Sequence, residues 1–186
     1  MAFDLQPTLK GDLIELRPLV AGAFDALYQA ARDPLIWEQH PEPDRHERVP
    51  FQRYFDGAIA SRGAFAIIER KTGKIIGSSR YCNLRPIEGE VEIGWTFLER
   101  AFWGGTYNRE LKALMVDHAL RSVDRVVFVV GERNVRSQKA LEKLGAAFLR
   151  RAPLPDHAEN ESRRATSLVF AITRPLGAPS RGTPEG

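Results

Sequence analysis

The sequence predicts one α/β (α+β) domain, a mixed and mostly antiparallel sheet of about seven strands flanked by about four helices. Three observations predict it. Two apolar runs, 64–69 and 75–82, flank the polar turn Lys71-Thr72-Gly73-Lys74, as in an antiparallel hairpin. Residues 90–98 alternate cleanly, reach the glycine pair Gly104-Gly105, pass into a helical stripe and return as the apolar run 125–130. A pair of strand-like segments, 146–151 and 165–173, closes the chain.

Bulk properties narrow the function classes. At 186 residues the chain can bury a real core, and 43% hydrophobic with 27% charged residues suits a soluble globular protein. No apolar run approaches the ~20 residues of a membrane span. Met1-Ala2-Phe3-Asp4-Leu5 lacks the basic-then-apolar pattern of a signal peptide, so a cytoplasmic protein without membrane attachment is expected. Cys82 alone forms no intramolecular disulfide and no cysteine zinc cluster, and no metal is expected. The net charge of +3 is small and mixed, which makes no case for nucleic acid. Basic residues do thicken after Gly131, through Arg133, Arg136, Lys139, Lys143, Arg150 and Arg151. They suit either a solvated face or an anion site.

In order, residues 1–11 lead in and join the fold near Leu9. Residues 13–19 alternate as a first strand stopped by Pro18. Phe24, Leu27, Tyr28 and Ala31 recur at helical spacing over 21–32, and Asp33-Pro34 ends that helix. Residues 35–46 are polar and proline-broken, hence a surface loop, and loops this long in compact domains are more often functional than idle. Within it, Trp37 and His40 either line a substrate pocket or, for Trp37, anchor the loop to the core. A second helix over 51–61 turns Tyr54, Phe55, Ala58 and Ile59 inward.

After the hairpin, Glu88-Gly89 leads into the strand 90–98. Val91, Ile93, Trp95 and Phe97 are expected on one face, and Glu90, Glu92, Gly94 and Thr96 on the other. Gly94 marks a bulge or a close backbone approach. The next helix, 106–122, stripes Tyr107, Leu111, Leu114, Met115 and His118, the last read as a satisfied core histidine. Residues 125–130 suit a strand buried on both faces. Asn134 is an N-cap, Ser137, Ala140, Leu141 and Leu144 form an inner stripe, and Gly145 is a C-cap. A charged loop over 153–163 separates the last two strands. Residues 1–174 thus read as a single domain, and the Pro/Gly/Ser-rich 175–186 as a disordered tail.

A strand feeding a glycine turn at a helix N-terminus is suited to hold a phosphorylated ligand. Neither G-x-x-x-x-G-K-[ST] nor G-x-G-x-x-G is present. Five pieces occur together in order: Leu16-Arg17-Pro18-Leu19, Ile75-Ile76-Gly77, Glu92-Ile93-Gly94-Trp95, Trp103-Gly104-Gly105-Thr106-Tyr107, and Asn134-Val135-Arg136-Ser137 with Leu141-Glu142-Lys143-Leu144-Gly145. With them the chain resembles the GNAT superfamily of N-acetyltransferases, in its ribosomal-protein-alanine acetyltransferase-like branch, over about residues 9–173. The resemblance implies acyl transfer from acetyl-coenzyme A, bound in a cleft between splayed parallel strands, to an amine.

It also implies site residues. Trp95, Thr96, Phe97, Leu98, Trp103, Gly104, Gly105, Thr106, Tyr107, Asn134, Arg136 and Ser137 would bind the coenzyme, with Lys139 a further candidate for its phosphates. The family turn runs Gln/Arg-x-x-Gly-x-Gly/Ala. Here Ala101 holds its first position and Thr106 its second glycine, so either Thr106 is strained or the turn is rebuilt around Gly105. No tyrosine follows Tyr107 to protonate the departing thiolate, which leaves Ser137 or water for that role. Glu92 is the first candidate base and Glu90 the second, with an oxyanion donor among the backbone N–H groups near 95–97.

A face with Glu88, Glu90 and Glu92 would suit a cationic acceptor, a protein N-terminus or a small amine. The altered turn and missing tyrosine keep a second class open, an acyl-coenzyme A sensor or interaction module without turnover. An exposed edge among the last strands could pair with a second copy as a homodimer.

Overall fold

The computed structural model describes residues 3–40, 42–153 and 166–174. In chain order these form β1 (Leu9–Lys10), β2 (Ile14–Pro18), α1 (Phe24–Ala31), α2 (Arg48–Ala60), β3 (Ala64–Glu69), β4 (Ile75–Arg85) and β5 (Glu90–Leu98). Then follow α3 (Thr106–Ala119), β6 (Arg125–Gly131), α4 (Val135–Leu144), β7 (Ala147–Pro153) and β8 (Thr166–Thr173). The expected tail over 175–186 and most of the expected loop after Pro153 lie outside the described residues.

The strands make one eight-stranded sheet in the order β1-β2-β3-β4-β5-β6-β8-β7. Every neighbouring pair is antiparallel except β5 with β6, which α3 connects. The strand beyond the expected seven is the two-residue β1, where the lead-in joins β2. The α3 helix holds this edge from outside the ladder. The Glu110 carboxylate accepts the backbone N–H groups of Asp12, Leu13 and Ile14 at 2.7–3.2 Å. Charge-assisted bonds to orphan amides are the strong kind, so Glu110→Ala is expected to cost about 2–3 kcal/mol in urea unfolding. An unchanged midpoint would mean that the β1–β2 turn is held by something else.

Each sheet face carries its own core. On one, Leu111, Met115, Val116 and Ala119 of α3 and Leu141 of α4 cover Val91, Ile93, Val126 and Phe128. On the other, Leu27 and Ala30 of α1 and Phe51, Tyr54 and Phe55 of α2 cover Ala64, Ala66 and Phe97. The α2 helix starts at Arg48, ahead of the expected 51, because Pro50 falls in its first turn, where a missing N–H breaks no helical bond.

The strand β5 departs from simple alternation. Val91 and Ile93 pack under α3, as expected, but Trp95 and Phe97 pack with α1 and α2 on the opposite face. A bulge causes the change. Pairing with β4 jumps from Arg80↔Gly94 to Ser78↔Phe97, and Trp95 takes a left-handed φ of +55°. One extra residue inverts the parity of all that follow. Gly94 therefore adjoins the bulge, and Trp95 carries its unusual backbone. For a non-glycine residue that conformation costs roughly 1–3 kcal/mol. The Tyr54 hydroxyl, reaching from α2, offsets it by donating to the Trp95 carbonyl at 2.8 Å.

Candidate active site

The bulge lies where the sheet opens. The β5 and β6 strands pair only at Glu90↔Arg125, Val91↔Val126 and Glu92↔Val127. Beyond Glu92 no ladder joins them, although β5 stays paired to β4 and β6 to β8. The facing edges of residues 93–98 and 128–131 thus lack a strand partner, an arrangement that an extended amide-bearing chain can complete. This parting opens a cleft of about 1440 Å³. Its walls include 93–98 of β5, 103–106 before and at the start of α3, 128–131 of β6 and 134–137 of α4.

Local sequence accounts for each wall. Gly104 and Gly105 have φ values of +106° and +111°, a region closed to most side chains, and Gly105 precedes the first residue of α3. The turn is therefore built on the glycine pair, and Thr106 opens the helix without left-handed strain. A Cβ at either glycine would meet nothing within 4 Å among the described residues, and both glycines line the cleft. Opposite, the Asn134 side chain accepts the Ser137 N–H at 3.1 Å, capping α4, and Gly145 ends the helix at φ +84°. Arg136 ties this helix start across the cleft mouth. Its guanidinium stacks 4.0 Å from the Trp103 ring and donates to the Ile36 carbonyl at 3.0 Å.

Of the residues expected to bind coenzyme, Trp95, Thr96, Phe97, Leu98, Trp103, Gly104, Gly105, Thr106, Asn134, Arg136 and Ser137 all line this cleft, as does Lys139. Tyr107 does not. From the first turn of α3 its hydroxyl donates instead to Glu69 at 3.2 Å. Trp37 and His40 line the cleft as well, but Trp37 is buried, with its indole N–H given to the Ala31 carbonyl at 2.7 Å. It is wall and anchor at once.

The two glutamates separate. Glu92 lines the cleft, accepts from the Asn83 amide at 2.7 Å and is nearly buried, which pushes its carboxyl above the usual carboxylate range. Gly94 keeps space beside it, since a Cβ there would stand 3.1 Å from Glu92 Oε1. Glu90 is outside the cleft lining and is held by Arg125 at 2.7 Å and Arg85 at 3.9 Å. The expected acidic face is thereby neutralised at Glu90.

Sequence reasoning missed Arg45, Arg80 and Lys112, which are buried cations of the lining. Lys112 projects from α3 to donate to Thr96 Oγ1 at 2.6 Å, with Nζ 5.5 Å from the Phe128 ring centre. Burial pulls its ammonium down to about 7. Thr96 Oγ1 is also 2.7 Å from Ser79 Oγ, so a polar chain runs beneath the bulge. Cys82 lines the cleft too, but burial foremost, with the nearby Glu92 charge, pushes its thiol up to about 12, and it stays protonated near neutrality. His40 is held neutral, its value lowered to about 3 by burial and by the neighbouring Arg45.

Among the lining side chains the cations Arg45, Arg80, Arg109, Lys112, Arg136, Lys139 and Lys143 outnumber the carboxylates Glu42 and Glu92. A cleft with unpaired strand edges, an open glycine turn and surplus positive charge fits a long, amide-bearing, phosphorylated ligand. No helix among the described residues is long and apolar enough to cross a membrane.

The sequence profile of the Acetyltransferase (GNAT) domain family matches residues 14–147. No curated protein matches the chain in sequence. In fold it is similar to a GCN5-related N-acetyltransferase from Brucella melitensis, at 21% identity over 90% of this chain and 79% of that one, with a TM-score of 0.79. It is also similar to RimL, a ribosomal L7/L12 alpha-N-protein acetyltransferase, at 17% identity over 90% and 94%, with a TM-score of 0.73. A third is Mycobacterium smegmatis RimJ, solved in complex with CoA-disulfide, at 19% identity over 90% and 87%, with a TM-score of 0.69.

Proposed function

Because the chain belongs to the GNAT acetyltransferase family, we propose that it transfers the acetyl group of acetyl-coenzyme A directly to a primary amine, on a protein N-terminus or a small molecule, in the cytoplasm. The observation that carries this reading is the parting of β5 from β6 immediately beside the bulge at Trp95. The pantetheine arm pairs with the free edge of β5, and the open amides at Gly104–Gly105 and the start of α3 receive the pyrophosphate. Arg136 and Lys139 add charge contacts to the phosphates.

In the reaction the amine nitrogen bonds to the acyl carbon as the carbon–sulfur bond breaks. The amine's proton passes to Glu92, and the departing thiolate takes one from Ser137 or water. A carboxylate raised by burial is a better-matched acceptor for such a proton than an ordinary glutamate. The high value of Cys82 favours direct attack over a route through an acyl-cysteine. The fold likeness to RimL, a ribosomal L7/L12 alpha-N-protein acetyltransferase, supports a protein N-terminus as one acceptor class.

The test is thiol release. The protein with acetyl-coenzyme A and a panel of amines and N-terminal peptides is expected to liberate free coenzyme A with an acceptor. Tight coenzyme binding without release across the panel would favour an acyl-coenzyme A sensor instead.

A further inference from the structure

Beside the bulge, on the α1–α2 face, two guanidinium groups are buried around one pair of aromatic rings. Arg45 is 2% exposed and Arg80 5% exposed. Their guanidinium carbons lie 5.1 and 5.3 Å from the Tyr54 ring centre, and 5.0 and 4.5 Å from that of Trp95. Glu42 meets Arg45 at 2.8 Å and, among the described residues, makes no ion pair with Arg80. Arg80 has no carboxylate within ion-pair distance among the described residues. Among the described residues its Nη2 reaches only the Tyr54 carbonyl, at a long 3.4 Å, and its buried Nε has no hydrogen-bond partner.

A buried guanidinium without a counter-ion is costly, and an unmade bond at Nε adds to that cost. Arg80 nonetheless lines the cleft, and in register it stands opposite Gly94, one residue before the bulge. Glu92, the other lining carboxylate on this stretch, is turned to Asn83. Arg80 is thus a buried cation of the cleft wall without a carboxylate partner among the described residues, and it adjoins the bulge beside which β5 and β6 part.

We propose that the acceptor carries a carboxylate a few bonds from its amine, and that Arg80, supported by Arg45, receives it. This rests on the acetyltransfer reading and narrows it. The cleft selects an acidic amine, not the cationic one that Glu88, Glu90 and Glu92 suggest in the sequence. The planar fork of Arg80 suits a carboxylate, and the Trp95 and Tyr54 rings fix its orientation. The carboxylate can come from a free amino acid or from an acidic side chain near a peptide N-terminus.

The test compares matched acceptors on the whole protein: glutamate against its diamide, and serine-led pentapeptide amides with Glu or Gln second. The favoured source is expected to show a kcat/KM about tenfold to a hundredfold above that of its neutral twin. In Arg80→Gln that ratio should collapse to near one, and Arg80→Lys should keep part of it. Equal rates for acid and amide in the wild-type protein would overturn the inference and leave acetyl transfer standing. Calorimetry with coenzyme A-saturated protein provides a readout independent of turnover. Acid-selective binding without thiol release would support the site and remove the transfer reading, and absence of both selectivity and release would remove both.

Discussion

Glu92→Gln is expected to lower kcat by about 10²- to 10⁴-fold while leaving acetyl-coenzyme A affinity nearly unchanged. Glutamine keeps the size of the side chain and an oxygen to accept from Asn83, so the fold has no reason to move. What disappears is the proton acceptor. The pH profile adds a second readout with a definite sign. A base works deprotonated, so wild-type kcat/KM should fall as pH drops through the Glu92 value, which burial sets above the ordinary glutamate value of about 4.3. In the variant that acidic limb should vanish. An unaffected rate would acquit Glu92 and pass the proton to water.

Lys112→Met is expected to change stability in a strongly pH-dependent way. In the folded protein the Lys112 ammonium is buried against Phe128 and Thr96, and its value falls to about 7. In the unfolded chain it returns to about 10.4. Between those values the unfolded state binds the extra proton, so wild-type stability rises with pH from about 7 to about 10. Below 7 the full penalty of a buried charge is present. Methionine does not titrate, so the stability of Lys112→Met relative to wild type should be greatest at pH 6 and shrink toward pH 10. The change is on the order of 4 kcal/mol, read by urea unfolding across that range. A difference that does not vary with pH would show that Lys112 is not the titrating group.

The sequence was most informative where a local rule and the tertiary environment agree. An apolar run located Ala64–Glu69 and alternation located Glu90–Leu98 as strands, and Asn134 with Gly145 bounded α4, because those signals are local to each segment. The glycine turn showed its place but not its form. The coenzyme-binding candidates gather in one cleft, Tyr107 excepted, because a single strand–turn–helix and a single strand–helix carry them.

What remained illegible depends on contacts remote in sequence. The inverted parity after Trp95 depends on a bulge that Tyr54 fixes from another helix. Arg45 and Arg80 are ordinary charges in their own segments, and only the folded sheet brings them to the same two rings. Lys112 had one available signal. It falls between Leu111, Met115 and Val116 on the stripe that α3 buries, where a lysine must answer for its charge.

If the parting of β5 and β6 is a coenzyme cleft, bound coenzyme protects the amides that line it. Amide hydrogen exchange of the intact protein, with and without acetyl-coenzyme A, tests it directly. Exchange is expected to slow at 95–98 on β5, at 103–107 around the glycine turn and at 129–137 from β6 into α4. No change on adding the coenzyme, or slowing confined to segments away from those three, would contradict it.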